Sequence, residues 1–98
     1  MDEAGTAATS DVLDRALAVA PEVSVRPEPF GALLYHFGSR RLSFLKDARL
    51  LSVIEGLGDA PTARAACAAA GVAAGTLPAF ERALERLVAG GMLQERGS

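Results

Sequence analysis

The side chains able to do covalent or acid–base chemistry are few. Among 98 residues there is one histidine, His36, and one cysteine, Cys67. A thiol–imidazole pair would need both, yet they fall in segments that read as different elements. Cys67 stands among Ala65, Ala66, Ala68 and Ala69, an apolar setting that raises a thiol pKa rather than activating it. It reads as a small core residue. His36 shares a strand face with Ala32 and Leu34 and reads as a sheet residue rather than a base. A single cysteine excludes an internal disulfide and a multi-thiolate metal site. No phosphate-binding glycine loop follows a strand, and no carboxylate pair is isolated from arginine. Neither catalysis nor a cofactor is expected.

What remains is the chemistry of binding. The chain is 50% hydrophobic and 22% charged, with a net charge of −2, and the charge is unevenly spread. Residues 1–25 carry Asp2, Glu3, Asp11, Asp14 and Glu22 against Arg15, a net −4. Residues 26–49 carry Arg26, Arg40, Arg41, Lys46 and Arg49 against Glu28 and Asp47, a net +3. That local excess is too small for a nucleic-acid stripe but suits an acidic peptide; solvated arginines at a hairpin end account for it equally well. No window approaches the ~18 consecutive apolar residues of a membrane span. The opening MDEAGTAATS is acidic and polar, without the cationic start and apolar run of a secretory signal. A cytoplasmic protein is expected.

The elements that must position these residues follow from periodicity. Residues 1–10 read as a flexible segment and 11–98 as a single domain. Val12, Leu13, Ala16, Leu17 and Ala20 have helical spacing, with Ser10 as a cap and Pro21 as the stop; an extended segment is the competing reading. Residues 22–46 read as a three-stranded antiparallel meander. Val23 and Val25 alternate with Ser24 and Arg26 before Pro27 and Pro29 mark a sheet edge. In Ala32–Phe37, Leu33, Tyr35 and Phe37 share one face. Gly38-Ser39-Arg40 fits the hairpin loop, with Gly38 free for positive φ. Arg41–Leu45 then puts Leu42 and Phe44 on one side, Arg41 and Ser43 on the other.

Three helices follow. Asp47 caps the first, which carries Leu50, Leu51, Val53, Ile54 and Leu57 up to Gly58. Pro61 suits the first turn of the second, which closes at Gly71. Thr76 caps the third, whose stripe is Leu77, Phe80, Leu84, Leu87 and Val88 before Gly90-Gly91. Met92 and Leu93 fold back or form a short terminal strand. The expected fold is α+β and winged-helix-like: a three-stranded antiparallel sheet followed by three helices, the last two joined as a helix-turn-helix pair.

Two binding modes fit this architecture. As a DNA-binding regulator, the third helix would read DNA, but it presents Glu81 and Glu85 beside Arg82 and Arg86, a surface lattice whose carboxylates repel phosphate. Alternatively, the third strand lies at a sheet edge with unpaired N–H and C=O groups, where an extended peptide can add as a strand. A loop or helix covering that edge is compatible with the same pattern, and composition and spacing do not separate the readings.

One run adds to them. Residues 25–47, VRPEPFGALLYHFGSRRLSFLKD, closely resemble the mycofactocin biosynthesis chaperones, which belong to a peptide-recognition superfamily shared with the pyrroloquinoline quinone chaperone. The run covers about a quarter of the chain; the alanine-rich helices agree in order and length only. The resemblance implies a non-catalytic protein that binds the leader of a ribosomally made precursor peptide and presents it to a radical S-adenosylmethionine maturase. In that family the leader adds beside the third strand and against the third helix. On this sequence those elements offer Arg41, Leu42, Ser43, Phe44 and Leu45, with Phe80, Arg82, Leu84 and Leu87. Phe44 and Leu84 are equally plausible as packing residues, and Phe30 and Tyr35 are expected to serve core or sheet packing. Iron–sulfur clusters would belong to the maturase, since one cysteine cannot hold one. Neither nucleic acid nor membrane is expected as a partner, and an empty strand edge invites a homodimer through its own copy.

Overall fold

Apolar residues two apart on one strand can be buried only if that face meets another layer, and Ala32 and Leu34 are both fully buried. The computed structural model describes residues 11–96; the segment 1–10, the Ser10 cap and Gly97-Ser98 lie outside the described residues. Strands β1 (Leu17–Val19), β2 (Val23–Glu28), β3 (Gly31–His36) and β4 (Arg41–Leu45) precede helices α1 (Ala48–Gly56), α2 (Ala63–Ala69) and α3 (Leu77–Ala89), and β5 (Leu93–Glu95) follows. The fold is α+β, as expected: an antiparallel sheet in the order β2-β3-β4, then three helices. Among the described residues no helix is long and apolar enough to cross a membrane.

The register puts Leu34 between Val25 and Ser43, and Ala32 between Pro27 and Leu45. On this inner face Ala32, Leu34 and Leu45 join a core completed by Leu50, Val53 and Ile54 of α1, Ala66 and Cys67 of α2, and Leu84 and Leu87 of α3. Asp47 caps α1 as expected, its carboxylate accepting the Arg49 N–H at 2.8 Å. The Arg49 guanidinium donates to the Gly71 carbonyl, also at 2.8 Å, and so ties the start of α1 to the end of α2.

Four local expectations are corrected. The helix expected over residues 11–20 is a 3-10 turn, Asp11–Asp14, followed by β1. β1 pairs with β5, Val19 opposite Leu93 and Leu17 opposite Glu95. The Ala20 N–H donates to the Met92 carbonyl at 3.0 Å and the Arg96 N–H to the Ala16 carbonyl at 2.8 Å. Val12, Leu13, Leu17 and Ala20 are buried as a helix would have buried them, but the backbone partner lies at the other end of the chain, where local spacing carries no information. The terminal strand that Met92 and Leu93 suggested is this β5. In the β3–β4 loop the left-handed residue is Arg40, with φ 64°, and Gly38 keeps negative φ. The loop spans Phe37–Arg40, and its last residue turns left-handed as the Arg40 N–H reaches the His36 carbonyl at 2.7 Å. Pro61 lies ahead of α2, which Thr62 caps through the Ala65 N–H at 3.1 Å. Thr76 precedes α3 but its hydroxyl donates to the Ala73 carbonyl at 3.0 Å and caps nothing.

Gly31 opens β3 at φ 146°, and a Cβ there would overlap the Leu45 carbonyl oxygen. Gly31→Ala is expected to cost at least about 3 kcal/mol, from backbone strain plus loss of β3–β4 pairing. Urea unfolding followed by circular dichroism measures it; a loss under about 1 kcal/mol would show that the two strands separate without consequence.

Candidate functional site

Which backbone groups of the sheet are open follows from two hydrogen bonds. The Phe37 N–H donates to the Glu22 carbonyl at 2.9 Å and the Arg40 N–H to the His36 carbonyl at 2.7 Å. In an antiparallel ladder successive residues point their polar groups to opposite sides. The odd residues of β3 therefore serve β2, and His36, Leu34 and Ala32 serve β4, opposite Arg41, Ser43 and Leu45. The N–H and C=O groups of Leu42 and Phe44 point off the sheet. On the far edge Pro27 is paired with Ala32, so its missing donor falls on the outside, where proline is tolerated.

Beside the open edge runs α3. Between them lies a groove of about 350 Å³ lined by Ser43, Phe44, Leu45, Lys46, Leu50, Ala83, Arg86 and Leu87. A smaller hollow of about 120 Å³ continues it past Asp47 and Leu50 to Ala79, Phe80 and Ala83. Ala79 and Ala83, four apart on the helix, leave room for an extended backbone to approach α3. Lys46 and Arg86 flank the groove, and neither is held in an ion pair among the described residues. The arrangement offers main-chain donors and acceptors on one wall, small apolar side chains on the other and positive charge along the rim.

Of the expected site residues, Ser43, Phe44, Leu45, Phe80 and Leu87 come together in this groove and its extension. Leu42 contributes backbone groups, and Arg41 is exposed at the loop end of β4. Leu84, for which packing was the equal alternative, has 0% exposure and lies in the core. Arg82 is also outside the groove, whose arginine is Arg86. Leu50, Ala79, Ala83 and Arg86 were not among the expected site residues, and Lys46 was expected only as one cation of the 26–49 segment. The buried stripe of α3 was visible in its apolar spacing, but the groove is lined by the flank of that stripe, and small residues there look like those elsewhere in an alanine-rich helix.

Of the two roles expected of Phe30 and Tyr35, core or sheet packing, the structure shows the second. Both lie on the outer face of the sheet, Phe30 tilted against Phe44 with ring centroids 6.2 Å apart, Tyr35 edge-on to Phe37 at 5.2 Å. The two candidates for covalent chemistry are occupied structurally. His36 Nδ1 accepts the Ser39 N–H at 3.1 Å. Cys67 is buried; burial pushes its thiol above the ordinary value, and Arg64 offsets this only in part.

Comparison with known proteins finds a family and close relatives. Residues 16–94 match the sequence model of the peptide chaperone MftB family. The peptide chaperone MftB of Mycobacterium tuberculosis is 49% identical over 83 residues, 85% of this chain and 76% of that protein. Its counterpart in Mycolicibacterium smegmatis is 54% identical over 72 residues, 74% of this chain and 71% of that one. That of Mycobacterium ulcerans is 59% identical over 59 residues, 60% and 54% of the two chains. No solved structure matches.

Core and groove separate by mutation. Leu84→Ala is expected to cost about 2–5 kcal/mol in urea unfolding, as buried leucine truncations do, while Phe44→Ala stays within about 1 kcal/mol because its ring is exposed. Equal losses would contradict the placement of Leu84 in the core and Phe44 outside it. The Cys67 thiol is expected to react with a disulfide reagent at pH 8 only after urea unfolds the chain. Since its folded pKa is raised, its contribution to stability is complete below the unfolded thiol pKa and is lost as pH climbs through the folded one.

Proposed function

Because the chain belongs to the peptide chaperone MftB family, whose role is non-catalytic, we propose that it takes the leader of the mycofactocin precursor as an added strand on β4 and presents it to a radical S-adenosylmethionine maturase. The observation that carries this reading is the open edge at Leu42 and Phe44 lying directly beside the β4–α3 groove. A peptide paired there would gain several main-chain hydrogen bonds, each worth about 1 kcal/mol net. Those bonds carry little sequence information, so selectivity would come from alternate side chains entering the hollow between Leu50, Phe80, Ala83 and Leu87. Lys46 and Arg86 favour a leader with carboxylates at the matching positions. The resemblance of residues 25–47 to the mycofactocin chaperones supports both the precursor and the maturase as partners. The DNA-binding alternative draws no support from α3, whose Arg86 is turned toward the groove.

Calorimetric titration with synthetic precursor peptide tests the reading. Saturable binding at micromolar protein is expected, and no heat at tens of micromolar would sink it. Proline scanning locates the edge. Phe44→Pro removes an outward-facing donor and is expected to leave the chain folded while weakening peptide binding at least about tenfold, beyond what Phe44→Ala does. Ser43→Pro removes the donor facing Leu34 and is expected to unfold the sheet. Undiminished binding by a folded Phe44→Pro would exclude strand addition at β4.

A further inference from the structure

The sheet has a second unusual surface, on the side away from the helices. Phe30, Phe37, Leu42 and Phe44 are 49%, 59%, 53% and 61% exposed. The register joins them through half-buried neighbours, Leu33 opposite Phe44 and Tyr35 opposite Leu42, and the Phe30–Phe44 and Tyr35–Phe37 ring contacts make the patch continuous. None of these side chains belongs to the buried core. Two shallow hollows mark the face, one of about 280 Å³ over Tyr35 and Leu42 and one of about 360 Å³ between Phe30, Phe44 and Lys46. An apolar patch of this kind with a polar rim marks an interaction surface. Two cations line its hollows, Arg26 and Lys46, and the Glu28 carboxylate beside them is engaged by Arg26 at 3.1 Å.

We propose that this outer sheet face docks a partner protein presenting an apolar patch ringed by carboxylates, and that the partner is the enzyme receiving the peptide. The proposal rests on the leader-binding reading above and adds a place for the second partner. Three observations favour this occupant. A second copy meeting the face about a two-fold axis would set the same cations against one another. A single-stranded nucleic acid would find aromatic platforms here, but on a chain of net charge −2 with too few cations to hold a phosphate backbone. The face is also continuous with the open edge, since Leu42 and Phe44 belong to both. A strand added at β4 would extend the sheet, and its alternate side chains would continue the outer face. A partner seated there touches chaperone and peptide together, while the groove wall formed by α3 stays on the opposite side of the sheet.

The test is titration of the radical S-adenosylmethionine maturase against the chain by biolayer interferometry, with and without precursor peptide, using wild type, Phe37→Asp and Arg26→Glu. Both substitutions are at exposed positions outside the β4–α3 groove; two variants guard against one failing to fold, which circular dichroism reports. Each is expected to weaken the enzyme at least about tenfold while peptide affinity stays within about twofold. Wild-type enzyme affinity is expected to fall with added salt and to be no weaker once peptide is bound. Unchanged enzyme affinity in both variants overturns the proposal, as does competition between peptide and enzyme, which would place the enzyme on the β4 edge itself. A wild-type dimer split by Phe37→Asp, or oligonucleotide binding lost in these variants, overturns it in favour of a second copy or nucleic acid. Absence of peptide binding by wild type sinks the leader reading instead, and the enzyme titration without peptide then reads the docking face independently.

Discussion

When Leu45 stands opposite Ala32 and Ser43 opposite Leu34, three properties of the molecule are set at once. The inner row is buried on the helices, the outer row is left to solvent, and the backbone groups of Leu42 and Phe44 are turned off the sheet. Because side chains alternate with a period of two, a slip of one residue would exchange the rows and place Phe44 in the core. Burial of Ala32, Leu34 and Leu45 therefore holds the register. Gly31 holds it from the other end, since the Leu45 carbonyl occupies the space a side chain would need. Core packing on one side of the sheet thus decides which amides are available at its edge.

The division of residue types supports the same arrangement. The core is aliphatic, built from leucine, valine, isoleucine and alanine with Met92 and Cys67. The aromatics of the β2–β4 segment stand outside it. Aromatic rings are the largest source of buried area in a small domain, so leaving Phe30, Phe37 and Phe44 exposed forgoes stability that this chain could have used. In the docking arrangement proposed above, a partner protein would supply the missing layer. Small helix residues contribute in the opposite sense: Ala79 and Ala83 hold open the space between α3 and β4 that larger side chains would close.

Much of this was legible before the fold was known. The strand Arg41–Leu45, its alternation, the helices after Asp47 and the inert setting of Cys67 are all local properties, readable from spacing and neighbours. What was misread depended on distant partners. Leu17–Val19 became a strand only because Leu93–Glu95 came to meet it. Arg40 took the left-handed turn position because the loop closes on the His36 carbonyl, whatever glycine stood nearby. Arg86 rather than Arg82 lines the groove, and Leu84 lies in the core, because the rotation of α3 about its axis is fixed by its packing on β5 and the Asp11–Asp14 turn.

The amino-acid sequence by itself pointed to the class of protein: little reactive chemistry, an alternating meander ending in an edge strand, a cationic segment of 26–49 in an acidic chain, and a resemblance carried by residues 25–47. It did so because periodicity, charge and reactive side chains are properties of residues and their near neighbours. The tertiary structure decided which amides are open, which flank of α3 faces them and which side of the sheet is left bare. Those depend on how β4 pairs and how α3 is rotated, and both are set by contacts between residues far apart in the chain.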